Sequence, residues 1–280
     1  MWEKELETAC LLARNAGAAI MGFYRSDVLV EQKIADDNYA EPVTVADHAS
    51  NKIIVEGLAE EFPADGLLSE ETPDDKERLK KDRVWVIDPL DGTKGFINRD
   101  GDFAVQIGLA EKGDPILGVV YLPHEDILYR AVKGRGAWMT APDKGPKRLK
   151  VSTKTDFSKM NLAVSRDHRS PKMSEIFAHL GLKDETQRGS VGLKVGLITQ
   201  QICDLYLHLS PRTKLWDTCA PQIILEEAGG KLTDLFGYPI RYDADEVRNL
   251  NGVAASNGDA HGSVIENLKP LLAEFGRTRI

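Results

Sequence analysis

Residues 84–96 read VWVIDPLDGTKGF. Val84 to Ile87 form a short apolar run bounded by turn residues, the pattern of a buried strand. Pro89 and Gly92 are expected to stop that strand, which leaves Asp88 and Asp91 at its mouth. Two carboxylates held so close repel one another and need a cation or hydrogen-bond donors to compensate. What the rest of the chain brings to that mouth decides the chemistry.

Upstream, Leu6, Ala9, Cys10, Ala13, Gly17 and Ile20 recur at helical spacing, so the chain opens with an amphipathic helix. Ala46, Ala49, Ile53 and Leu58 place a second helix, and GLLSEET reads as a short strand ending in Glu70 and Glu71. PDDKERLKKD is a solvated, charged connection. Downstream, FAVQIGLA, ILGVVYL and ILYRAV are strand-like runs separated by EKGDP and PHED, an antiparallel meander. The proline-, glycine- and lysine-rich segment 141–150 marks a lobe boundary, dividing the chain into 1–150 and 151–280. Beyond it, NLAVS is a strand, and Val191, Val195, Ile198 and Ile202 form one face of a helix. DLYLHL is another strand, and WDTCAPQIILEEAGG a helix capped by Asp217 and ended by Gly229 and Gly230. GVAAS and a final helix from about His261 complete an α+β chain, layered as two sheets with helices between and around them.

With 280 residues the chain is long enough for a sizeable core in one large domain or two packed lobes. Its 42% apolar and 29% charged residues are those of a soluble globular protein, and a net charge of −8 argues against a general nucleic-acid binder. Cys10, Cys203 and Cys219 are odd in number and show no motif spacing, so reduced thiols in the cytoplasm are expected. The start, MWEKELETAC, lacks the apolar core of a signal peptide, and no apolar run is long enough to span a bilayer.

Five carboxylates fall at strand ends or helix starts: Asp47, Glu70, Asp88, Asp91 and Asp217. Hard divalent cations take such oxygens; Asp88 can bridge two ions, with Glu70 on one side and Asp91 and Asp217 on the other. The Leu90 carbonyl can add a further oxygen. If a helix begins at Gly92 and Thr93, its free N–H groups point at a bound phosphate. An anion site beside clustered acids is coherent only with metal between them, and two ions can serve in-line displacement at phosphorus. Taken singly, each acid has an ordinary explanation: DG is a common turn, and Asp217 can be just a cap. The ordered set is the specific signal.

SEET, DPLDGTKGF and WDTCAPQIILEEAGG together resemble the lithium-sensitive, Mg²⁺-dependent phosphatases of the inositol monophosphatase superfamily, and the likeness extends over nearly the whole chain. That resemblance implies the layered α-β-α-β-α sandwich of the sugar phosphatases, with an antiparallel N-terminal sheet and a smaller mixed C-terminal one. It implies Glu70, Asp88, Asp91, Asp217 and the Leu90 carbonyl as ligands for two or three Mg²⁺ ions. Asp47 and Thr93 match the pair that activates the attacking water, Gly92 and Thr93 the phosphate-binding turn, and Glu71 a neighbouring catalytic acid.

Within the superfamily, PVTVAD, DGTKGF, WDTCAP and GGKLTD look most like the 3′(2′),5′-bisphosphate nucleotidases, which remove the 3′-phosphate of 3′-phosphoadenosine 5′-phosphate. Inositol monophosphatases carry a sugar-binding glutamate seven residues before the W-D aspartate; that count lands on Ser210 here, in a stretch supplying His208, Arg212 and Lys214. The second phosphate of a bisphosphate calls for cationic donors, for which arginine is suited. SRDHRS resembles the S-R-S-H turn of the nucleotidases, with Asp167 departing from it. Ser165, Arg166, His168, Ser190, Lys194 and Arg212 are therefore the expected substrate contacts. The implied partner is a small phosphorylated molecule, an adenine nucleotide, with no nucleic-acid polymer and no membrane, and the implied state a monomer or homodimer. An inositol or sugar-phosphate phosphatase shares the metal motif and stays open. A non-catalytic binder would have no use for the Asp47–Thr93 pair. A haloacid-dehalogenase-type site needs D-x-D-G-T, whereas this chain has D-x-x-D-G-T with Leu90 in the way.

Overall fold

The computed structural model describes residues 2–26, 29–34, 40–166 and 170–280. Helix α1 (Glu3–Tyr24) buries Ala9, Leu12, Ala13, Ala16 and Ile20, a stripe at helical spacing. A hairpin of β1 (Val30–Ile34) and β2 (Ala40–Thr44) leads into α2 (Val45–Glu61). Thr44 caps that helix: its hydroxyl accepts the Ala46 N–H, and Asp47 reaches back to the Thr44 N–H at 2.8 Å. Next come β3 (Gly66–Ser69), β4 (Arg83–Asp91), α3 (Thr93–Asn98), β5 (Ala104–Glu111), β6 (Asp114–Leu122), β7 (Ile127–Val132), β8 (Ala137–Thr140) and β9 (Lys147–Arg148). They form a seven-stranded sheet in chain order. It is antiparallel as the sequence suggests, except that β3 runs parallel to β4 at one edge.

The second half contributes β10 (Asn161–Ser165), α4 (Pro171–His179), β11 (Asp184–Arg188), α5 (Val191–Thr199), β12 (Leu205–His208), α6 (Leu215–Glu227), β13 (Gly230–Thr233), β14 (Val253–Asn257) and α7 (Gly258–Glu274). Its sheet is mixed, in the order β11-β10-β12-β14-β13, with β14 antiparallel to both neighbours. The buried apolar residues fall into groups that match the layers. One packs α1 and α2 on the outer face of the large sheet, one holds α5 and α6 between the sheets, and one packs α4 and α7 on the far side of the small sheet. This is the expected α-β-α-β-α sandwich.

Several expectations need correction. Strand β4 does not stop at Pro89 but continues to Asp91 through a register irregularity between Asp88 and Asp91. A bulge tolerates proline because the residue there owes no N–H to the ladder. Ile202 lies beyond α5 and is 49% exposed, while all of Val191–Thr199 is buried, so this helix has no single apolar face. Asp217 does not cap α6 from outside; Lys214 is the cap, and the Asp217 carboxylate reaches back from the first turn to its N–H at 2.7 Å. Helix α7 starts at Gly258, capped by Asn257, earlier than His261.

One packing detail positions the site. Gly108 and Gly118 face each other across β5 and β6, directly under α6. A Cβ at Gly108 would stand 2.6 Å from Cys219 Sγ, and one at Gly118 2.5 Å from the Ala220 carbonyl oxygen. The pair forms a bare trough that lets α6 lie against the sheet, bringing its first turn to the end of β4.

Candidate active site

Parallel pairing puts Ser69 beside Ile87, and the ladder continues one bond further, with Glu70 N–H donating to the Ile87 carbonyl at 3.2 Å. Glu70 is thereby carried to the level of Asp88. The bulge turns Asp88 and Asp91 to the same mouth, and α6 brings Asp217 from the other half of the chain. Asp88, Asp91 and Asp217 can each offer an oxygen, all within 4.8 Å of one another. Burial raises the pKa of Glu70, Asp88, Asp91 and Asp217, and the other acids add to it for Glu70, Asp88 and Asp217. For Asp91 the rise is opposed by the Ser190 hydroxyl and the Gly192 N–H. Buried Asp88 and Asp91 with half-buried Glu70 and Asp217 form an oxygen-rich site suited to hard divalent cations, their charges only partly met by neighbouring donors and Lys33.

Beside them, the Thr93 hydroxyl donates to Asp47 Oδ1 at 3.1 Å and lies 3.3 Å from the Leu90 carbonyl oxygen. The other oxygen of Asp47 is held by the Thr44 hydroxyl at 2.7 Å. Burial pushes the Asp47 pKa up, with the Thr44 hydroxyl and N–H pulling it down. Gly92 turns the chain into α3 at φ 96°, and a Cβ there would meet the Asp102 carbonyl oxygen at 2.4 Å. No L side chain fits that conformation and that space. Glu71 is buried and paired with Lys33 of the hairpin, whose ammonium also stands 3.8 Å from Glu70. No motif pointed to Lys33; a single lysine in a polar strand carries no signal.

These groups open on a cleft of about 220 Å³ whose walls include Glu70, Asp88, Leu90, Asp91, Gly92, Thr93 and Asp217. The sequence-predicted substrate residues fare unevenly. Ser165 and Lys194 line the cleft. Lys194 is 4% exposed, donates to the Gly189 carbonyl at 2.7 Å, and lies 4.9 Å from the centre of the Tyr206 ring. Ser190 lines it too, but its hydroxyl donates to Asp91 Oδ2 at 2.6 Å and accepts the Leu193 N–H, so it serves the acid and the helix start. Arg166 follows Ser165 but is not among the cleft residues; it pairs with Asp102 at 2.8 Å and Asp100 at 3.3 Å. Arg212 is exposed in the turn after β12 and is not among the cleft residues. His168 lies outside the described residues. Ser210, reached by the seven-residue count, is not in the wall; β12 ends at His208, and that side chain is. Tyr206, Thr213 and Lys94 also line the cleft without having been anticipated.

Residues 1–272 match the sequence pattern of the inositol monophosphatase family. The 3′(2′),5′-bisphosphate nucleotidase CysQ of Escherichia coli K12 is 38% identical over 242 residues, 86% of this chain and 95% of that protein. The inositol-1-monophosphatase of Bacillus subtilis 168 is 29% identical over 267 residues, 95% of this chain and 96% of that one. Among solved structures, CysQ of Bacteroides thetaiotaomicron has a TM-score of 0.76 at 29% identity, covering 91% of this chain and 98% of its own. The Thermotoga maritima IMPase reaches 0.81 at 25% identity, over 98% and 100%. With the family pattern running through both sheets and across every acid of the cleft, this chain belongs to the inositol monophosphatase family.

Proposed function

We propose that this chain is a Mg²⁺-dependent phosphomonoesterase that converts 3′-phosphoadenosine 5′-phosphate to AMP and phosphate. Enzymes of the family are metal-dependent, and the buried acid cluster fits that need. Glu70, Asp88, Asp91, Asp217 and the Leu90 carbonyl would hold two or three Mg²⁺ ions. Bound there, the ions supply positive charge for the phosphate oxygens and acidify a nearby water.

The chain's own groups do the rest. Because Thr93 spends its hydrogen on Asp47, its lone pairs are left to accept from the attacking water. The proton that the water loses passes through Thr93 to Asp47, with Glu71 alongside. A bond forms from the water oxygen to phosphorus while the bond from phosphorus to the ribose 3′ oxygen breaks, and that oxygen leaves as the alcohol after taking a proton from a second, solvent water in the cleft. N–H groups at the Gly92–Thr93 turn orient the phosphate. Ser165, Lys194 and His208 contact the remainder of the nucleotide, and Arg166, next to Ser165 in the chain, turns to its second phosphate.

The observation that carries the catalytic reading is the Thr93–Asp47 hydrogen bond, formed across 46 positions of sequence beside the acid cluster. For the substrate, the support is the 38% identity with CysQ over 95% of that protein's length. The reading includes lobes 1–150, with most metal ligands, and 151–280, with Asp217 and the specificity residues. It also includes a cytoplasmic monomer or homodimer with no membrane or nucleic-acid partner. Among the described residues no helix is long and apolar enough to cross a membrane.

A second reading, inositol phosphate hydrolysis, is favoured by the Bacillus subtilis relative. Phosphate release from 3′-phosphoadenosine 5′-phosphate, inositol 1-phosphate and fructose 1,6-bisphosphate separates the two. A preference of about a hundredfold for the nucleotide, on the order of 3 kcal/mol, is expected. A preference for inositol 1-phosphate would install the second reading and leave the acid cluster's role intact.

A further inference from the structure

We infer that Gln106 is a positioning residue that determines which oxygen of Asp91 is presented to a cation, an inference that rests on Asp91 being a metal ligand. Gln106 sits in the middle of β5, directly across the ladder from Asp88, and is 0% exposed. Its side-chain amide donates to Asp91 Oδ2 at 2.7 Å. The same oxygen receives the Ser190 hydroxyl at 2.6 Å and the Gly192 N–H at 3.1 Å.

Three donors exceed the two lone pairs a carboxylate oxygen offers in its plane. Oδ2 is therefore saturated, and Oδ1, which takes none of these bonds, is the oxygen left to meet a positive charge. Asp91 is thus built as a one-oxygen ligand, its carboxylate plane locked by donors from β5 on one side and the start of α5 on the other. Outer partners of this kind orient ligating carboxylates and tune their metal affinity.

The amide is an odd choice for this position unless its donor is needed. Gln106 Oε1 is buried without a hydrogen-bond partner, a loss that an apolar side chain of similar volume would avoid. Room for that oxygen comes from Gly192, where a Cβ would stand 2.8 Å from it. Glutamate would fit sterically but would set a further carboxylate against Asp91 and remove the donor. Only an amide both fills the space and gives a hydrogen to the acid, so the sequence tolerates one unsatisfied carbonyl to keep one N–H.

The test is Mg²⁺ binding to the full-length, chelator-stripped protein by titration calorimetry, with the metal-free melting temperature measured alongside. Gln106→Met keeps the volume and removes the donor. The expected result is a Mg²⁺ dissociation constant about tenfold weaker, with the metal-free melting temperature unchanged or higher. Ser190→Ala removes a second donor to the same oxygen and should weaken binding as well. The double variant should lose less than the product of the two single effects, because both act on one carboxylate orientation. A change under threefold in a folded Gln106→Met protein, or full additivity in the double variant, overturns the inference. If Gln106→Met does not fold, Ser190→Ala alone decides by the same threefold mark. Should the wild-type chain bind no Mg²⁺, the metal reading itself fails, an outcome distinct from a wild type that binds and a Gln106→Met variant that binds equally well.

Discussion

The two ends of the cleft are built differently. At the β4 end, each acid is delivered by buried backbone: a parallel ladder for Glu70, a bulge for Asp88 and Asp91, and a helix seated on bare glycines for Asp217. At the outer end the cations are held singly: Arg166 is exposed and pairs with Asp100 and Asp102, while buried Lys194 donates to the Gly189 carbonyl. Reactive geometry is thus set by elements that cannot move without unfolding. Substrate choice is left to individual side chains such as Lys194 and Arg166, each held by its own contacts. Substitutions at the first end should abolish turnover, whereas those at the second should grade it.

The largest expected effect is at Asp47. Asp47→Asn should cut kcat by about 10³, the range for losing a general base, with Mg²⁺ affinity retained. Unchanged turnover would remove Asp47 and Thr93 from the mechanism. A sharper contrast comes from Asp88→Asn, which removes a buried carboxylate repelled by Glu70, Asp91 and Asp217. It should abolish Mg²⁺-dependent turnover yet raise the metal-free melting temperature by a few degrees, on the order of 1 kcal/mol. A lower melting temperature would mean that the acids are already compensated within the chain.

At the outer end, Lys194→Met should raise KM for the nucleotide roughly tenfold, as expected for losing one charge-assisted contact. Arg212→Ala should change it less than about twofold, since an exposed cation outside the cleft contributes little. Equal effects from the two would break the distinction between wall and surface. The smallest effect lies away from the cleft, at His261, which is 2% exposed between Thr233 and Ser256. Burial lowers its pKa to about 4. The unfolded chain takes up this proton at a higher pH than the folded one, so stability should be lost as pH falls from about 6.5 towards 4. The slope from this group is at most about 1.4 kcal/mol per pH unit. Denaturant midpoints for the wild type and His261→Gln should diverge in slope over that window.

Legibility in the sequence divides along the same line. The acid motif was readable because its spacing is converted to geometry by local structure: a strand, a turn and a helix start, each with its own signature. Pro89 misled because a proline that ends a regular strand can equally occupy a bulge, and only the β5 register tells which. The all-buried α5 gave no single apolar face to follow. DETQR of β11 lies at the edge of the small sheet and is only partly buried, so it shows no apolar alternation. The count to Ser210 finds a serine in the turn after β12, and it is His208, the last residue of that strand, that reaches the cleft wall. Arg166 looked available because its partners, Asp100 and Asp102, lie more than sixty positions away. Gln106 and Lys33 were invisible for a related reason: each acts through a tertiary contact that no local pattern announces.

The most direct test is phosphate release from 3′-phosphoadenosine 5′-phosphate by chelator-treated protein, before and after Mg²⁺ is added back. The account predicts no release from the stripped protein and full recovery with Mg²⁺. Release that persists unchanged after chelation, or fails to appear with Mg²⁺ restored, would contradict it.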